Sequence, residues 1–141
     1  DLLGRHVSIL RSAARRRNRR FVITYSTMLV TSEEEFREAR ASLSFRLVDS
    51  PTEVRELIGM TEAEANEIRE ALAEGGADAA ADLVREEWVA QFTIVGSLEE
   101  AGAELRDLIA RQGVDEFQLP VQKVEGAAAL IERAAAMVAG P

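Results

Sequence analysis

Ten consecutive residues, Phe21–Val30 (FVITYSTMLV), carry no charge, no glycine and no proline, and β-branched and aromatic types dominate them. Such a run reads as a strand. Odd and even positions are equally uncharged, so neither face is made for water. That is the pattern of a parallel strand covered on both sides, because an antiparallel strand with one wet face alternates apolar with polar residues. Parallel neighbours need long crossovers, usually helical, and the flanking sequence is rich in helix signals. The fold class that follows is α/β.

Leu3, Val7, Leu10 and Ala14 fall at spacings of four, three and four, so the chain opens with an amphipathic helix. Downstream, four candidate helix starts carry Ser or Thr followed three residues later by Glu: Ser32 with Glu35, Ser50 with Glu53, Thr61 with Glu64, and Ser97 with Glu100. Each spacing suits a capping box, in which the hydroxyl and the carboxylate satisfy each other's backbone N–H groups. Pro51 suits the first helical position. Helices are expected near 32–47, 51–58 and 61–74. Gly75 and Gly76 break the third, and a shorter stretch from Ala77 leads to Trp88. The segment WVAQFTIV, 88–95, fits a helix end or a short strand equally well.

A helix over 97–112 presents Leu98, Ala101, Leu105, Leu108 and Ile109 on one face and closes on Gly113. In 114–121, Phe117, Leu119 and Val121 alternate with Gln118 and Pro120. A second strand over 116–121, parallel to the first, is expected there, followed by an alanine-rich helix over 124–138. Two parallel strands cannot cover a sheet on both faces. The missing strands are expected upstream of Asp1 or in a second chain.

Residues 1–20 hold seven arginines against one aspartate, +6, so the net charge of −8 leaves −14 on residues 21–141. An acidic body repels phosphate backbones, and nucleic-acid binding would rest wholly on Arg15, Arg16, Arg17, Arg19 and Arg20. Those arginines read better as the end of a surface helix, where cations meet the negative pole of the dipole. No specific nucleic-acid partner is expected. No apolar run approaches the roughly 20 residues of a membrane span. The chain has no cysteine, which excludes disulfides and thiolate chemistry. A cytoplasmic setting is the expectation. His6 is the sole histidine and lies on the basic helix, so no metal site is expected. Glu33, Glu34 and Glu35 belong to a helix's first turn, and Trp88 and Phe92, four apart, read as core.

The segment FTIVGSLEEAGAELRDLIARQGVDEFQLPV, 92–121, carries Gly96, Ser97, Glu99 and Glu100 at a helix start and Gly113, Val114 and Asp115 before a strand. It resembles the penultimate helix and last strand of luciferase-like monooxygenases. Upstream, MLVTSEEEFREARA is similar to the seventh strand and following helix of the same family. The long multi-helix insertion between the two is most like methylenetetrahydromethanopterin reductase-like members. The resemblance implies one partial domain over 1–141, the C-terminal portion of a TIM (β/α)8 barrel, which when whole runs to about 250 residues. It also implies an oxidoreductase that transfers hydride between a flavin or deazaflavin and a small organic substrate. The cofactor would be a deazaflavin coenzyme or FMN.

Barrel enzymes carry their reactive groups at the C-terminal ends of strands, here Ser26 to Ser32 and Gln118 to Lys123. Ser26 and Thr27 are the candidate cofactor-binding residues, with hydroxyls able to bond the ring. The alternative is that they satisfy local backbone. Gln118, Gln122 and Lys123 are within reach of a ligand, although solvation alone accounts for Lys123. No catalytic residue is assigned, since in hydride transfer the protein binds, orients and tunes the ring. Unpaired strand edges imply a homo-oligomer. A non-catalytic helical protein-interaction module is the alternative function, on the helical content and the basic start.

Overall fold

The uncharged ten-residue run forms two strands with different partners. In the computed structural model, which describes residues 2–121 and 124–139, helix α1 (Leu2–Arg16) leads into β1 (Thr24–Ser26) and β2 (Leu29–Val30). Helices α2 (Glu33–Asp49), α3 (Thr52–Leu57), α4 (Glu62–Ala81) and α5 (Glu86–Phe92) precede β3 (Ile94–Val95). Helix α6 (Leu98–Gln112), β4 (Glu116–Gln118) and α7 (Ala127–Ala139) complete the order. Strand β1 pairs in parallel with β4, and β2 in parallel with β3. The expected parallel relation between the two sequence-read strands holds. The single long strand does not, because apolar character reports burial and says nothing of which neighbour supplies the ladder. The ambiguous segment 88–95 contains both readings, a helix end and then β3.

The chain forms two compact units, one of Met28–Gly96 and one of the residues on either side of it. In the central unit, α2 and α4 pack around Leu43, Leu47, Ile68, Val84, Trp88 and Val89, all nearly inaccessible to solvent. Each such side chain contributes roughly 1.5–3 kcal/mol of transfer free energy. Trp88 donates from Nε1 to the Ile58 carbonyl at 3.1 Å, and the Arg85 guanidinium lies 4.2 Å from its ring centre. Phe92 packs against the same core. Arg55, only 8% exposed, donates to the carbonyls of Val48 and Ser50 and to Glu62, which ties the end of α2 to the start of α4.

Two of the four capping boxes form in full. Thr61 and Ser97 accept from the backbone N–H groups of Glu64 and Glu100, whose carboxylates accept in return from the cap backbone. At Ser32 the hydroxyl accepts from the Glu35 N–H, but the Glu35 carboxylate reaches one residue further back, to the N–H and hydroxyl of Thr31. Ser50 does not cap α3, whose N-cap is Pro51; it is instead the C-cap of α2, its N–H donating to the Leu47 carbonyl and its hydroxyl to the Arg46 carbonyl. Gly76, at φ 73°, kinks α4 without ending it, so the helical path runs on to Ala81.

In the flanking unit, α6 and α7 pack together, with Ala101, Leu105, Ala134 and Met137 buried. Gly102 lies where the two helices meet, and a β-carbon there would stand 3.2 Å from the Arg106 guanidinium and 3.4 Å from Met137, within or near ordinary contact. Leu98, expected on the packed face of α6, is half exposed, while Leu108 and Ile109 are partly buried. Gly113 caps α6 in the left-handed region at φ 65°. Strand β4 stops at Gln118, short of the expected Val121, because Pro120 has no N–H to give to a ladder.

Candidate functional site

Strands β1 and β4 run side by side in register, with Thr24 opposite Glu116, Tyr25 opposite Phe117 and Ser26 opposite Gln118. Side chains alternate across a strand. Tyr25 and Phe117 therefore share one face, their ring centres 6.4 Å apart. Thr24, Ser26, Glu116 and Gln118 share the other and are all exposed. On that face the Thr24 hydroxyl donates to the Glu116 carboxylate at 3.0 Å. Ser26 and Gln118 make the next rung, at the C-terminal ends of both strands.

Ser26 and Thr27, paired as candidates on sequence, are thus treated differently by the fold. Ser26 stands exposed beside Gln118. Thr27, one residue past the end of β1, is buried at 4% exposure. Gln122 and Lys123, also singled out on sequence, lie outside the described residues.

The strand starts are fixed by two residues that sequence reasoning did not assign to a site. The Asp115 carboxylate accepts from the Ile23 N–H at 2.8 Å, and the Ile23 carbonyl accepts from the N–H groups of Asp115 and Glu116. Arg11, on α1, donates to that carboxylate and to the carbonyls of Phe21 and Gly113. The Ile23 N–H above all, with Arg11 in support, holds the Asp115 carboxyl below its ordinary range. The signal was an arginine on an otherwise apolar helical stripe and an aspartate placed directly before a strand.

The arginine cluster ends α1 as expected, with Arg15 and Arg16 in the last turn. Asn18, in the left-handed region at φ 47°, closes the helix: its N–H bonds the Arg15 carbonyl, and the Arg19 N–H bonds that of Ala14. An open groove of about 570 Å³ lies here, lined by Leu10, Ala13, Ala14, Arg17, Arg19 and Phe21. It adjoins the start of β1, away from the strand ends at Ser26 and Gln118. His6 is exposed on α1. Among the described residues, no helix is long and apolar enough to cross a membrane.

No protein-family model and no curated protein matches the chain. A solved structure does: the coenzyme F420 dependent tetrahydromethanopterin reductase from Methanopyrus kandleri superposes with a TM-score of 0.69 at 20% identity. The chain thus shares the fold of part of that reductase. The likeness covers 83% of this chain but 35% of the reductase, so the chain spans about a third of that protein's length. The described residues form two separate two-stranded parallel pairs and no closed barrel. In (β/α)8 barrels the C-terminal strand ends carry the chemistry, which makes the Ser26–Gln118 rung the candidate site.

Proposed function

We propose that this chain is part of an oxidoreductase that transfers hydride between a deazaflavin coenzyme or FMN and a small organic substrate. The observation that carries the reading is the fold it shares with part of a reductase named as dependent on coenzyme F420. A bound ring of either type supplies the hydride chemistry, leaving the protein to bind and orient it. The residues at the strand ends suit that task. Ser26 and Gln118 are neutral, carry donors and acceptors, and stand exposed on one face. Thr27, buried just past the end of β1, shapes the strand end. The Arg11–Asp115 contact holds β1 and β4 in register at their starts and so fixes the spacing at their ends.

Phe21, Val22, Val121 and Ile131 are all more than 40% exposed, which supports association with further copies of the chain. Light scattering on purified protein checks this, an oligomer being expected.

Fluorescence titration of the full-length protein with a deazaflavin coenzyme and with FMN tests the function. Saturable binding of one of them, with reduction or oxidation of the bound ring on adding substrate-class donors, is expected. Binding of neither contradicts the proposal and favours the helical interaction module.

A further inference from the structure

We infer that Ser26 and Gln118 together read the pyrimidine edge of the bound ring, the C=O, N–H, C=O sequence that flavins and deazaflavins have in common. The inference rests on the function proposed above and adds to it which chain residues recognise which part of the ligand. Its basis is a contrast between two adjacent rungs of one parallel ladder. The first rung satisfies itself, since the Thr24 hydroxyl donates to Glu116. The second, Ser26 opposite Gln118, does not: both side chains are exposed, and among the described residues neither has a hydrogen-bond partner.

The chemistry of that open rung selects its ligand. A glutamine side chain offers an NH₂ donor and a carbonyl acceptor side by side in one plane. That pair is complementary to an adjacent C=O and N–H on a heterocycle, in the bidentate manner by which Asn or Gln reads adenine. The serine hydroxyl, one strand away at roughly 4.8 Å, donates or accepts as needed and reaches the next ring position. An anionic ligand group is disfavoured, because Glu116 stands on the same face two residues from Gln118. Phosphates and carboxylates are bound by arginine forks or backbone N–H clusters, and the four residues of this face include neither arginine nor lysine.

The test separates this inference from the function it rests on. Dissociation constants are measured by fluorescence for the full-length protein and for Gln118→Met and Ser26→Ala, with FMN, a deazaflavin, and each ring methylated at N3. Whichever parent ring binds identifies the source of the edge. For that ring, N3 methylation is expected to weaken binding to the wild type about tenfold, the effect of one good hydrogen bond. Gln118→Met is expected to lose a similar factor for the parent ring and to bind parent and methylated rings equally. Ser26→Ala should weaken both rings alike. A parent ring that binds with no penalty for N3 methylation, or a penalty kept in full by Gln118→Met, overturns the inference and leaves the proposed function standing. Absence of binding by either parent ring overturns both. Gln118 is exposed, so an unchanged melting curve for the variant shows that lost affinity is not lost fold.

Discussion

Arg11 and Asp115 meet across 104 positions of sequence, and their contact ties α1 to the starts of both β1 and β4. The same guanidinium donates to the Phe21 and Gly113 carbonyls, so one side chain gathers the end of a helix, the approach to one strand and the approach to another. An isolated surface ion pair is worth little. Here the carboxylate also receives the Ile23 N–H, and that bond has no replacement if Asp115 is truncated. Asp115→Ala should lower the thermal midpoint more than Arg11→Ala, as measured by circular dichroism. A midpoint for Asp115→Ala no lower than that for Arg11→Ala would contradict this weighting of the Ile23 bond.

Four carboxylates should make the protein acid-sensitive. Asp115 is held below its ordinary value of 3.8 by the Ile23 N–H above all. Glu62 is held below 4.5 by Arg69 and then Arg55, Glu64 by the Thr61 N–H and hydroxyl, and Glu100 by the Ser97 hydroxyl and N–H. A carboxyl that titrates lower when folded binds its proton more readily in the unfolded chain. Its stabilising contribution is complete above the ordinary value and is lost as pH falls through the folded one. The thermal midpoint should therefore be flat from neutral pH to about 5 and fall below about 4. Glu100→Gln should soften that fall. A midpoint that rises as pH drops from 5 to 3 would contradict the assignment.

The two complete capping boxes give a matched comparison with Ser50, which closes α2 and does not start α3. Thr61→Ala and Ser97→Ala should each cost about 1 kcal/mol in denaturant unfolding. Ser50→Ala, which removes only a bond back to the Arg46 carbonyl, should cost less. The reverse order would show that the α3 start depends on Ser50 after all.

Trp88 is the sole tryptophan, so its fluorescence reports on the central unit. Trp88→Phe keeps most of the apolar contact but leaves the Ile58 carbonyl without its donor, at a cost of roughly 1–3 kcal/mol. Unfolding by circular dichroism measures that loss. A stability within a few tenths of wild type would mean that the bond contributes nothing.

Helices were legible in the sequence because capping, periodicity and glycine stops are local: α2, α4 and α6 begin within a residue or two of their hydroxyl caps. Ser50 misled because its spacing to Glu53 is right while Pro51 occupies the cap. Strand pairing is non-local. Nothing within FVITYSTMLV announces that Thr24–Ser26 and Leu29–Val30 take different partners. The resemblance to luciferase-like proteins agreed with the observed fold. The candidate site was half legible: Ser26 and Gln118 were each named as strand-end polar residues, but their pairing on one exposed face is a matter of register.

A crystal structure of the full-length protein with the ring cofactor bound tests the central claim most directly. The expected result is a parallel barrel in which β1 and β4 are neighbours and the ring lies at their C-terminal ends against Ser26 and Gln118. A ring bound elsewhere, or these two strands found antiparallel, would contradict it.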